Sequence, residues 1–376
     1  MLGPNQGLPN THHRTLRIIV TRITQDPFRL VVPEDRVHPG FRNLREGVAH
    51  SPAKAAVREA IAQFDDVDGN FLEQFQSGGF NTRLWELYLN TYLLDAYFTL
   101  DRTHARPDFV ATKAPHVVSI EATTCNPTQG LAPLGNPPRS KSLREQVDER
   151  AANYLPMKLG SSLYAKYCEE YWTLEHVAGR PFLLALMDYH ELSAERFTLA
   201  ETSVGLSSYL YGLQQHWYQD ETGNLVIESK PVDRHRYGEK EIPSGFFALP
   251  KAEHISGVIY SNSATITKFN RMGYLAGHAA DQLEMTRIGV CMDPDPNAAD
   301  PREFCYEVGD PNFPESWGQG LDVFHNPNAL HAVDPALFPD SASHRFDGDQ
   351  PRSKIPNFHP LVSATIIRVA SESREA

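Results

Sequence analysis

Cysteine is scarce in this chain. Its 376 residues hold four, Cys125, Cys168, Cys291 and Cys305, scattered with no CxxC pair. That argues against a structural zinc site of the common kind and against a disulfide scaffold, and makes a reducing, cytoplasmic setting the expectation. Long apolar runs are lacking too: no segment offers the roughly 20 uninterrupted apolar residues that a membrane helix needs. The first thirteen residues, polar with Gly, Pro and Asn, lack the apolar core of a secretion signal and read as a frayed tail. Positive charge is in deficit, with 35 Lys and Arg against 47 Asp and Glu and a formal net charge of −12. This counts against a broad nucleic-acid-binding surface, though not against a local basic groove. There is no GxSxG elbow, Walker loop or dinucleotide fingerprint. His278, His325 and His331 show neither HxxxH nor HExxH spacing, which disfavours a histidine metal centre.

What is present is a mixture of helical and strand patterns. Residues 14–32 read as one or two short strands. Ser51–Phe64 has a Ser-Pro start and a helical pattern. Ser77-Gly-Gly breaks the chain, and Asn81 then caps a long helix to about Asp101 with apolar residues on nearly every face, so that helix is central. Two strands, Asp108–Thr112 and His116–Thr123, are joined by a Lys113-Ala-Pro turn as in a hairpin. Asn126–Ser140 reads as a loop, Leu143–Tyr154 and Met157–Trp172 as helices, and Pro181–Asp188 as a buried strand. A helix over Leu206–Trp217, a hairpin of Leu225–Glu228 with Phe246–Leu249, a buried strand at Ile255–Asn262, a helix from Thr265 to Gly273 and a final strand at Pro360–Val369 follow. The order predicts one α/β core, a mixed central sheet flanked by helices, with N- and C-terminal decorations.

Three acids stand out. Glu86 lies in the nearly apolar Phe80-Asn-Thr-Arg-Leu-Trp-Glu-Leu-Tyr-Leu, Asp108 follows Pro107 at the start of an extended run, and Glu121 lies late in Val117-Val-Ser-Ile-Glu-Ala-Thr-Thr. A lone carboxylate among apolar neighbours is costly to bury unless it is neutralised, whereas three that converge make a divalent-cation site. On a strand Glu121 and Thr123 share a face with Ser119, while Ile120 and Ala122 face the other layer. The Glu86 helix is expected to cross the sheet and aim its carboxylate at the same end. Cys125, nearby, reads as a spectator thiol.

This helix glutamate, Pro-Asp, strand glutamate, helical crossover and buried strand together resemble the PD-(D/E)xK nuclease superfamily, with its restriction-endonuclease-like core. The resemblance covers roughly residues 78–190 and extends toward 265. It implies a division into an N-terminal decoration (1–77), a nuclease-like core (78–265) and a C-terminal extension packed on it (266–376). It implies Mg²⁺ or Mn²⁺ held by Asp108, Glu121 and the Ala122 carbonyl, with Glu86 assisting, and hydrolysis of a phosphodiester in nucleic acid, DNA being favoured. The pattern departs from the family at Thr123, where the family has lysine. A threonine cannot supply the positive charge that orients water or offsets charge on phosphate. Some members carry that lysine on the crossover helix, where this chain offers Lys166 and, as second choice, Lys158.

Plainer readings stand beside these. Glu86 pairs with Arg83 one turn earlier and faces water, Asp108 is a turn residue, and Glu121 pairs with an arginine. Ser261–Gly273 offers hydroxyls for a helix cap, with Lys268 and Arg271 either contacting a nucleic-acid backbone or simply solvated. Asp188-Tyr-His190 closes a buried strand as many polar strand ends do. A nuclease fold without activity, serving as a scaffold subunit with a homodimeric or protein partner, is the alternative function.

Overall fold

Eight strands form the central sheet, lying side by side in chain order: β1 (Thr99–Asp101), β2 (Phe109–Lys113), β3 (His116–Cys125), β4 (Phe182–Asp188), β5 (Gly257–Ser261), β6 (Leu321–His325), β7 (Ala342–Asp347) and β8 (Gln350–Lys354). They come from a computed structural model that describes residues 21–127, 150–190, 200–278, 283–348 and 350–369. The readings made for residues 14–20, 128–140 and 143–149 lie outside the described residues. β3, β4 and β5 are parallel, β6 and β7 are parallel to each other, and the other neighbours are antiparallel. The protein is therefore mixed α/β, with a large mixed sheet flanked by helices. Its β6, β7 and β8 come from the stretch beyond 265 that was read as an extension. A separate three-stranded sheet joins Leu283–Cys291 to Arg302–Glu307 and Pro360–Val369.

Sequence pattern places the layers. β4 reads Phe-Leu-Leu-Ala-Leu-Met-Asp and is buried throughout, as a parallel strand covered on both faces must be. β3 alternates instead. Its Val118, Ile120 and Ala122 join the core beneath α1 (Ser51–Ala62), α2 (Phe80–Asp95) and α5 (Ile266–Leu275). The opposite face is covered by α3 (Leu155–Tyr167) and α4 (Ala200–Tyr211), whose Leu159, Leu163, Leu206 and Leu210 meet Cys125, Leu184, Leu186 and Tyr260. The central position expected for the Glu86 helix is seen: Trp85, Leu87, Tyr88 and Leu89 are all fully buried, and the Trp85 indole N–H donates to the Ala185 carbonyl at 3.1 Å. α1 and α5 touch backbone to backbone at Gly273, where a Cβ would sit 2.2 Å from the Pro52 carbonyl oxygen.

Several boundaries differ from the sequence reading. α2 begins after Gly79, which has no side chain to cap it; Asn81 lies inside the helix, and its amide donates to Asn126 at 3.0 Å. It ends at Asp95, where Tyr97 takes a left-handed φ of 65°, and the chain then enters β1. The helix expected over Leu206–Trp217 stops at Tyr211, since Gly212 adopts a φ of 70°. Leu213–Gln219 becomes a strand paired with Leu225–Pro231, and Phe246–Ala248 is a short 3₁₀ turn rather than that hairpin's partner. Glycine reaches positive φ without steric cost, so it ends a helix that side-chain periodicity alone would continue.

Candidate active site

β2 and β3 form the expected hairpin, with Phe109 opposite Ile120 and Lys113 opposite His116. Asp108 precedes the first paired residue, and its side chain continues the ladder: Oδ2 accepts the Ala122 N–H at 2.7 Å. The Asp108 N–H in turn approaches Glu121 Oε2 at 3.3 Å. The N–H and C=O of one strand residue point to the same side, so the Ala122 carbonyl also faces this edge.

Glu121 projects to the α3 face, where Lys166 Nζ meets Oε1 at 2.6 Å. Burial would lower the Lys166 ammonium, but Glu121 outweighs it and holds the group above its ordinary value. Lys166 is thus a fixed positive charge on the face that Thr123 shares. Tyr171, whose hydroxyl lies 3.5 Å from Nζ, is pushed up to about 12 by burial and by Glu121 and stays neutral. Lys158 is placed otherwise. It lies eight residues earlier, about 12 Å along the helix, and its carbonyl and charge act on Cys125 near the end of β3.

Glu86 approaches from the other face, because α2 packs on the Ile120 and Ala122 side. The reading that it pairs with Arg83 is correct, at 2.6 Å, but the carboxylate is 4% exposed rather than facing water. Arg83 is itself held by Gln74 and Asn70. Burial raises the Glu86 carboxyl and Arg83 opposes the rise. Asp108, at the strand end between the two faces, is held well above the ordinary carboxylate range by burial and by the nearby charges of Glu86 and Glu121.

The acids are therefore neighbours, and the charge of Glu121 helps to raise both Glu86 and Asp108, but they do not form the three-carboxylate cage expected. Among the described residues no group of three or more His, Cys, Asp or Glu side chains is disposed to hold a metal ion. The sheet separates Glu86 from Glu121, and each carboxylate already has a protein partner. What lies at one edge is two carboxylates, Asp108 and Glu121, with the Ala122 carbonyl beside them. Hard oxygen donors of this kind and number suit Mg²⁺, which keeps most of its waters.

The other singled-out residues lie elsewhere. Lys268 and Arg271 are neither solvated nor at a nucleic-acid surface. Both are buried on Glu315, at 2.6 and 2.8 Å, with Arg287 at 3.5 Å. The Thr265 hydroxyl makes no cap of α5. Asp188 is a separate buried cluster, accepting from His190 Nδ1 at 2.7 Å and the Tyr260 hydroxyl at 3.4 Å. It pairs across the sheet with Cys125, four residues past Glu121. Sequence reading passed over Arg102, which is buried and drawn toward Glu86 and Asp108. Its place on the link between β1 and β2 carries no pattern that marks it.

No family model, curated protein or solved structure matches this chain. Among the described residues no helix is long and apolar enough to cross a membrane.

Proposed function

We propose that this protein is a divalent-metal-dependent phosphodiesterase of nucleic acid, DNA by preference, with a PD-(D/E)xK-type site on a restriction-endonuclease-like core and a cytoplasmic place of action. One observation carries the reading: a lysine from the crossover helix lies 2.6 Å from the strand glutamate, which is joined through Asp108 to Ala122. The resemblance implies a lysine beside these acids, and Lys166 on α3 is the candidate to take the place left by Thr123.

Asp108, Glu121 and the Ala122 carbonyl are the groups that would hold Mg²⁺ or Mn²⁺. When bound, the cation polarises the phosphodiester and lowers the pKa of its water. Lys166, kept charged by Glu121, orients the attacking water and offsets negative charge building on the phosphate oxygens. An ammonium so held is not a proton acceptor, so the attacking water loses its proton to a carboxylate or to solvent. Glu86 acts from the far face through its field on Asp108. The leaving group is the 3′-oxygen.

The scaffold alternative is supported by a different observation. All three carboxylates are satisfied within the protein, by Arg83, Lys166 and the Ala122 N–H. The two readings part in one experiment: purified protein with plasmid and single-stranded DNA, in Mg²⁺ or Mn²⁺, beside Asp108→Ala. Metal-dependent nicking lost in the variant supports the enzyme. Equal nicking by both, or none by either, leaves the scaffold reading and its homodimeric or protein partner.

A further inference from the structure

Arg102 is buried, at 9% exposure, yet neither its Nε nor its Nη1 has a hydrogen-bond partner among the described residues. The other deeply buried guanidiniums are engaged. Arg271 holds Glu315 and Thr365, and Arg287 holds Ser363, Tyr306 and Gln319. Arg102 is instead fixed by ring faces, with Phe64 at 4.0 Å and Phe109 at 5.0 Å from the guanidinium carbon. Such stacking sets the plane of the group without engaging its N–H donors.

Arg102 forms one wall of a cleft beside Asp108, with Arg83, His104, Asp66 and Asp68. Two of the three carboxylates lining the cleft accept from backbone N–H groups. Asp66 accepts the Gly69 and Phe71 N–H groups, Asp108 accepts that of Ala122, and Asp68 is exposed. His104 is stacked on His176, with centroids 3.7 Å apart. The enclosed part of the cleft holds about 20 Å³, room for one water-sized group. An anion larger than that can insert an oxygen or two while the rest stays at the mouth.

We propose that this cleft is a phosphate subsite, in which Arg102 receives oxygens of a nucleic-acid backbone phosphate next to the one cleaved at Asp108 and Glu121. A guanidinium is a planar, permanently charged donor group that suits phosphate oxygens, and two nitrogens of this one are left unpartnered. Arg102 then positions the strand and is distinct from the hydrolytic groups. The nucleic-acid origin of the phosphate rests on the nuclease reading; the anion chemistry rests on Arg102 itself.

The test uses metal-free, full-length protein titrated calorimetrically with inorganic phosphate, then with a short oligonucleotide. Arg102→Gln should weaken both by about tenfold, the worth of one charge-assisted contact. Arg102→Lys, which keeps the charge but not the planar guanidinium, should fall in the same direction, and exposed Arg180→Gln should match the wild type. Thermal melting with and without phosphate gives a second readout, a rise for wild type that the Arg102 variants lose. Should Arg102→Gln fail to fold, Arg102→Lys carries the comparison. Absent phosphate binding by wild type, or equal affinities in all proteins, overturns the subsite. So does an Arg102 effect on phosphate without one on the oligonucleotide. Arg102-dependent binding of both, in a protein that cuts no DNA, would reject the nuclease reading alone.

Discussion

At the scale of single residues, the two lysines of α3 separate position from composition. Both lie on one helix, but only Lys166 is placed against Glu121. Lys166→Met should lower metal-dependent cleavage about a hundredfold or more, as loss of one preorganised charge does elsewhere, while Lys158→Met should leave initial rates near wild type. Asp108 gives a prediction in pH. Its folded value is raised well above 3.8 by burial, Glu86 and Glu121, so the folded state holds a proton that the unfolded state has released. That contribution to stability is full below the unfolded value and is lost as pH rises through the raised one. Asp108→Asn should therefore raise the thermal midpoint of metal-free protein at mildly alkaline pH. Mg²⁺ should stabilise wild type and not the variant; equal midpoints in scanning fluorimetry would oppose this.

At the scale of elements, periodicity located most helices and strands, and glycine or a left-handed residue decided where they end. α2 was legible because its apolar residues recur on every face, which only a central helix tolerates. The Leu213–Gln219 strand was not, since Gly212 turns the backbone inside an otherwise helical pattern. α5 shows a further effect of packing. Its Lys268 and Arg271, which read as solvated bases, anchor the helix through Glu315 to Arg287 of the strand Leu283–Cys291. Burial pushes Glu315 up, but Arg271, Lys268 and Arg287 hold it well below 4.5. Its contribution to stability is present above the unfolded value and is lost as pH falls through the folded one. Glu315→Gln strands three buried cations and should cost about 3–5 kcal/mol, read from urea unfolding.

At the scale of the whole molecule, the sheet runs across the division placed at residue 265. β5 lies between β4 and β6, and β6 carries Leu321 and Val323 into the same core as α2. A chain ending at 265 would expose the β5 edge and open that core. It is expected to aggregate or to lack a cooperative melt by circular dichroism, whereas an independently stable core would melt cooperatively. The last hundred residues are rich in Pro, Asp and Asn with few periodic runs, which is the pattern of an appended segment. Short strands such as Leu321–His325 gain their stability from neighbours distant in sequence, and no local pattern reports that.

Local chemistry was enough to foretell the alternation of β3, the central burial of α2 and the acids and lysine that a metal-assisted site would need. Those follow from local chemistry: side-chain period, apolar content and the cost of a lone charge. Tertiary structure alone decided that Glu86 and Glu121 lie on opposite faces of the sheet, that Lys166 rather than Lys158 meets the acids, and that Arg102 lines a cleft beside Asp108. Each of these depends on which helix covers which face, and that is fixed by pairing and packing between segments far apart in the chain.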